Sequence, residues 1–151
     1  MDKYADQKNG KLFYEEHGEG SPLLLIHGGL GAASHWANQT AVFSEKFRVL
    51  IPEQRGRGRT PDIAGPITYQ NMTEDMVEFL ENQVDGPAVL VGASDGGIVG
   101  LYLAIQRPEL ISKLVLLGTN FDKDGVVLAF AEALIDWDTE ADSFTRAREL
   151  Y

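Results

Sequence analysis

The sequence predicts an α/β fold: a mostly parallel sheet with flanking helices that opens on an antiparallel hairpin. Three observations predict it. Short, wholly apolar runs at residues 23–26, 88–91 and 114–117 read as strands buried on both faces. Stretches of helical period lie between them, the alternation that builds a parallel sheet between helical layers. Near the start, Asn9-Gly10 separates two segments of strand character, a strong hairpin signal.

Taken in order, Asn9-Gly10 as the central pair of a type I′ turn joins strands at 3–7 and 11–17. Gly18-Glu19-Gly20-Ser21-Pro22 leads into the strand at 23–26, which stops at His27-Gly28-Gly29. Trp36, Val42 and Phe43 give a modest helical stripe over 34–44, and Arg48-Val49-Leu50-Ile51 is the next strand. Residues 56–61 are loop. Met72, Met76, Phe79, Leu80 and Gln83 recur at helical spacing, which predicts a helix over 70–83 with Thr68 or Thr73 as its N-cap. Asp85-Gly86-Pro87 ends it. A strand at 88–91, a mostly apolar helix over 97–106 stopped near Pro108, and a strand at 113–117 follow. Beyond Asp124, residues Val127, Phe130, Ala131, Leu134 and Ile135 predict one more helix, then an acidic stretch at 136–142 and a polar helix to Tyr151.

Composition limits the function classes. The chain has 151 residues, 44% hydrophobic and 24% charged, the balance of one domain with an apolar core. A net charge of −10 has the wrong sign for gathering phosphates, so nucleic acid and anionic membrane are not expected partners. Without cysteine there is no disulfide framework, thiolate zinc site or Cys nucleophile. Met1-Asp2-Lys3-Tyr4-Ala5-Asp6 lacks the basic and apolar regions of a signal peptide, and the expectation is a cytoplasmic chain. Residues 88–105 approach the length of a spanning helix, but Asp95 would cost about 2.5–3.5 kcal/mol at a bilayer centre. A strand, a sharp turn and a buried helix fit that segment better.

The turn is the chemically informative feature. Gly92-Ala93-Ser94-Asp95-Gly96 fits G-x-S-x-G between an apolar strand and an apolar helix. A nucleophile on such a turn has strained backbone angles and needs small neighbours two residues to either side. It stands above the carboxyl end of its strand, with helix N-terminal amides ready for a developing oxyanion. Ile26-His27-Gly28-Gly29-Leu30-Gly31 ends an earlier strand, and its glycines let amides approach a substrate. The N–H of Gly29, with Leu30 the second choice, can therefore pair with that of Asp95; a plain strand-to-helix turn is the alternative. His27 reads as organising this turn rather than as a base, because it precedes the glycines.

Other chemistries fit less of the chain. Gly29-Leu30-Gly31-Ala32-Ala33-Ser34 approaches a dinucleotide fingerprint, with Glu53 placed to hold a ribose, but Ser34 replaces the third small residue and the Ser94 turn stays unexplained. No histidine pair has helical zinc spacing, no Gly-Lys-Ser/Thr follows a glycine loop, and Asp122-Lys123-Asp124-Gly125 holds only a fragment of a calcium loop. Neither a metal nor a cofactor is implied. Arg55, Arg57 and Arg59 either hold an anionic substrate or are solvated.

His27-Gly28-Gly29, the loop Pro52-Glu53-Gln54-Arg55-Gly56-Arg57-Gly58 and the Ser94 turn, in this order, resemble the α/β-hydrolase superfamily in its esterase, lactonase and C–C hydrolase branch. The resemblance runs from the hairpin to about Asn120. It implies a core over 1–120 and the beginning of a helical lid over 121–151. It also implies Ser94 as nucleophile, and backbone amides of Asp95 and Gly29 as oxyanion hole. The reaction implied is hydrolysis of an ester-like, lactone or related acyl bond of a small molecule, without a cofactor.

The sequence departs from the superfamily's pattern as well. Such hydrolases continue for roughly another hundred residues, which carry further strands, an acid and then the histidine base. Here His17, His27 and His35 all precede Ser94, and Asp122 or Asp124 is a weak candidate for the acid. The expectation is a core truncated before its last strands. A non-catalytic fragment or binding module of the same fold is the alternative function. The strand at 113–117 lacks the proline or inward charge that protects an edge, so self-association or a second chain completing the sheet is expected there.

Overall fold

The computed structural model describes residues 2–120. The chain divides into two units, Met1–Thr119 and Asn120–Tyr151; the lid expected over 121–151, with Asp122 and Asp124, lies outside the described residues.

Among the described residues six strands form one sheet in the order β1-β2-β4-β3-β5-β6, where β1 is Asp2–Gln7, β2 Gly10–His17, β3 Ser21–Ile26, β4 Phe47–Pro52, β5 Ala88–Ala93 and β6 Ile111–Leu117. Pairings β1/β2 and β2/β4 are antiparallel, while β4/β3, β3/β5 and β5/β6 are parallel. The order follows from the connections. From β3 the chain crosses through α1 (Ala37–Phe43) to β4 on one side, and after α2 (Tyr69–Gln83) it returns to β5 on the other. From β5 it continues through α3 (Asp95–Gln106) outward to β6. The connections leaving the carboxyl ends of β3 and β5 therefore run to opposite sides, which opens the crevice where sheets of this kind bind ligands.

Alternation along the central strands divides the core between the two faces. Leu24, Ile26, Leu50 and Leu90 pack under α2 and α3 with Met72, Met76, Phe79 and Leu103. Leu23, Leu25, Val49, Ile51 and Val91 pack on the other face with Ala33 and Trp36. Thr68 is the N-cap of α2, its hydroxyl accepting from Asn71 N–H at 3.2 Å. Thr73 instead lies inside the helix and donates to the Tyr69 carbonyl.

Two local expectations are corrected. The hairpin pairs Gln7 with Gly10, so its turn is Lys8-Asn9 rather than Asn9-Gly10. The observed register sets Tyr4 edge-on to Phe13 at 5.3 Å and pairs buried Ala5 with buried Leu12. Glu78 of α2 also accepts from Lys8 N–H at 2.7 Å. Tertiary packing overrides the dipeptide's turn preference. The second correction is to the stripe over 34–44. The segment begins as a 3₁₀ turn, Ala33–Trp36, and Val42 faces solvent. Thr40 takes the inward position instead, donating to the Trp36 carbonyl at 2.7 Å.

Among the described residues β6 pairs with β5 alone. Its Val115, Leu116 and Leu117 are 44%, 40% and 47% exposed. Among the described residues no helix is long and apolar enough to cross a membrane.

Candidate active site

Ser94 occupies the junction of β5 and α3 with φ 49° and ψ −117°. Leu30 is the only other non-glycine residue at positive φ among those described. An L-residue adopts these angles at a cost of about 1–3 kcal/mol, which the surroundings must offset. They do so by close packing. A Cβ on Gly92 would collide with the Gly96 carbonyl and Gly97, and one on Gly96 with the carbonyls of Ile26 and His27. The two glycines thus let the turn close tightly and seat it on the end of β3. Ser94 N–H is fixed to the Leu117 carbonyl at 2.9 Å, and the Ser94 carbonyl starts α3 by accepting from Gly97 and Ile98.

The loop after β3 lies against this turn. A methyl at Gly28 would be 3.2 Å from Ser94 Cβ. Gly28 to Gly31 form a reverse turn, Gly31 N–H to Gly28 carbonyl at 3.1 Å, with Leu30 at φ 59°. Gly29 and Leu30 are exposed, whereas Ser94 is half-buried. The structure therefore brings Gly28 and Gly29 against Ser94 and Asp95, from segments more than sixty residues apart.

His27 is fully buried beneath the loop. Its Nε2 accepts from Gln54 N–H at 3.1 Å, so the ring is neutral with its proton on Nδ1, which donates to the Gly28 carbonyl at 2.8 Å. Burial pushes its pKa below the ordinary value. Gln54 adds a bond from Nε2 to the His27 carbonyl at 2.8 Å. With both ring nitrogens engaged, His27 organises the turn and is not placed as a base. His17 pairs with Glu15 on β2, and His35 stands exposed beside Gly31. Among the described residues no histidine hydrogen-bonds Ser94.

Arg55 and Arg59 of the arginine loop are held by carboxylates of the chain itself. Arg55 is buried and holds Asp75 through two bonds of 2.6 Å, from Nε and Nη2. Arg59 lies over the Phe13 ring at 3.8 Å and pairs with Glu53 and Glu15. Glu53 in turn is buried and accepts from Ala33 N–H at 3.1 Å and from Arg59. Burial pushes the Glu53 carboxyl up, but the Arg59 and Ala33 donors outweigh it and leave its pKa below the usual value. A carboxylate committed in this way cannot hold a ribose, which removes the dinucleotide reading.

The sequence reading missed Tyr69, the first residue of α2, whose hydroxyl donates to Asp95 Oδ1 at 2.8 Å. No local pattern signals a contact between residues 26 apart.

The pattern of the alpha/beta hydrolase fold family matches residues 21–146, and the chain belongs to that family. The 2-hydroxy-6-oxo-6-(2'-aminophenyl)hexa-2,4-dienoic acid hydrolase of Metapseudomonas resinovorans is 36% identical over 125 residues, covering 79% of this chain and 42% of its own length. The (E)-2-((N-methylformamido)methylene)succinate hydrolase of Acinetobacter baylyi is 30% identical over 130 residues, 83% of this chain and 49% of that one. Among solved structures, the enol-lactonase from Burkholderia xenovorans superposes with a TM-score of 0.71 at 31% identity, over 78% of this chain and 46% of the lactonase. The chain thus spans less than half the length of these relatives.

Proposed function

We propose that the chain carries the nucleophile and oxyanion hole of a serine hydrolase acting on an ester-like, lactone or related acyl bond of a small molecule. The observation that carries this reading is the backbone of Ser94, φ 49° and ψ −117°, at the head of α3 and against Gly28. Tightly packed strain of this kind is retained where it aims a side chain. The relatives named above, all hydrolases, support the same reaction class.

In the proposed step Ser94 Oγ bonds to the carbonyl carbon as its O–H proton passes to solvent water, which later protonates the leaving group, while the carbonyl's π pair moves onto its oxygen. Backbone N–H groups of Asp95 and Gly29 meet that oxygen, helped by the positive end of α3. Collapse breaks the bond to the leaving group, which departs with a proton, and water then releases the acyl group from Ser94. General base catalysis supplies about 10²–10⁴-fold in such reactions. Since no described histidine reaches Ser94, the 151-residue chain is expected to turn over slowly.

A non-catalytic binding module is the second reading, favoured by the engagement of both His27 ring nitrogens. Hydrolysis of p-nitrophenyl esters by this chain and by Ser94→Ala separates the two. Slow turnover lost in the variant supports the hydrolase, and identical background rates support the binding module.

A further inference from the structure

Asp95 directly follows the proposed nucleophile and is 6% exposed at the first turn of α3. Its two carboxylate oxygens point to different parts of the site. Oδ1 accepts from the Tyr69 hydroxyl at 2.8 Å. Oδ2 lies so close to Gly29 that a Cβ there would collide with it. The carboxylate therefore spans from the head of α2 to the glycine loop, and one of its oxygens rests against the Cα bonded to the Gly29 nitrogen. Tyr69 is itself braced, its ring stacked on Tyr102 of α3 at 6.5 Å.

This arrangement has an electrostatic consequence. A negative charge beside an oxyanion hole opposes the charge that develops there. A donor on the side of the carboxylate remote from Gly29 draws that charge away and fixes the side-chain rotamer.

We propose that Tyr69 is a positioning residue for the oxyanion hole, acting through Asp95: its hydroxyl orients the carboxylate that lies against Gly29 and draws its negative charge away from the developing oxyanion. The proposal rests on Ser94 being the nucleophile. It assigns a function to a residue that touches no reacting atom, and it assigns the Asp95 side chain an effect distinct from that of the Asp95 backbone N–H.

The test is the rate at which a neutral alkyl fluorophosphonate labels the full chain, followed by intact mass, with the thermal midpoint measured in parallel. Tyr69→Phe, which keeps the ring and its stacking, is expected to label about ten-fold more slowly than the parent. Asp95→Asn keeps an acceptor for Tyr69 but removes the charge, and is expected to label about three-fold faster or more. In the Tyr69→Phe/Asp95→Asn pair the loss due to Tyr69 shrinks below about three-fold, because the charge it controls is gone. An equal loss in both backgrounds, tracking a lower thermal midpoint, would mean a merely structural tyrosine and would overturn the proposal. So would an unchanged rate in Tyr69→Phe. Absence of any adduct on Ser94 in the parent chain would instead overturn the nucleophile assignment, and this proposal with it.

Discussion

Replacing Arg55 with methionine separates a structural role for the arginine loop from substrate binding. The side chains of Arg55 and Asp75 are 4% and 7% exposed and share two bonds of 2.6 Å. Removing the guanidinium strands a carboxylate deep beneath α2, at a cost of about 3–5 kcal/mol. Three backbone carbonyls, of Ala64, Pro66 and Asn71, also accept from Arg55 at 3.3–3.5 Å, too long to add much. For a chain of this size about 1 kcal/mol moves the melting temperature by roughly 2–4 °C, so Arg55→Met should melt about 6–20 °C lower. Replacing the partner as well removes the stranded charge. Arg55→Met/Asp75→Leu should recover most of the loss, since an apolar pair of similar volume is often neutral or better than a buried ion pair. Differential scanning calorimetry on the three proteins decides the matter. A single variant that melts within about 2 °C of the parent, or a double variant no better than the single, would refute the reasoning.

His27 and Glu53 each contribute to the acid side of the stability profile. Burial holds the His27 pKa below its ordinary value of 6.5, so the unfolded chain takes up a proton that the folded chain refuses; this stabilisation is complete above about pH 6.5 and is lost as pH falls towards the lower folded value. Glu53, also shifted below its ordinary value, keeps its contribution above about pH 4.5 and loses it as pH falls through the folded value. Urea midpoints between pH 7 and pH 3 should therefore flatten in the upper window for His27→Asn and in the lower for Glu53→Gln; unchanged slopes would contradict both assignments. Gly92→Ala should destabilise by about 1–3 kcal/mol or more, because the added methyl meets backbone of Gly96 and Gly97; a chemical denaturation curve that overlays the parent's would show that the turn has room. The exposed Val115, Leu116 and Leu117 of β6 predict association through that strand; light scattering should report a mass above 16.6 kDa, and a stable monomer of that mass would contradict it.

Much of the backbone geometry of the candidate site was legible because its signals are local. Apolar residues 23–26 and 88–91 are short runs bounded by turn residues, as buried strands are, and the small residues around Ser94 suit a tight turn. The illegible parts depend on partners distant in sequence. Arg55 in a glycine-rich loop looks solvated until Asp75, twenty residues on, is folded against it. Tyr69 gives no sign that it reaches Asp95. Asn9-Gly10 states a real turn preference, yet the Tyr4–Phe13 contact and the Lys8–Glu78 bond move the turn by one residue. Val42 was misplaced because the segment begins as a 3₁₀ turn, which changes the phase of the helix that follows.

Covalent labelling most directly tests whether Ser94 is the nucleophile. The full chain is incubated for hours with excess fluorophosphonate, digested, and the modified peptide sequenced by mass spectrometry. The strained turn at Ser94, packed against Gly28, predicts a single phosphonyl adduct on Ser94 that is absent from Ser94→Ala. An adduct on another residue, or none at all, would contradict it.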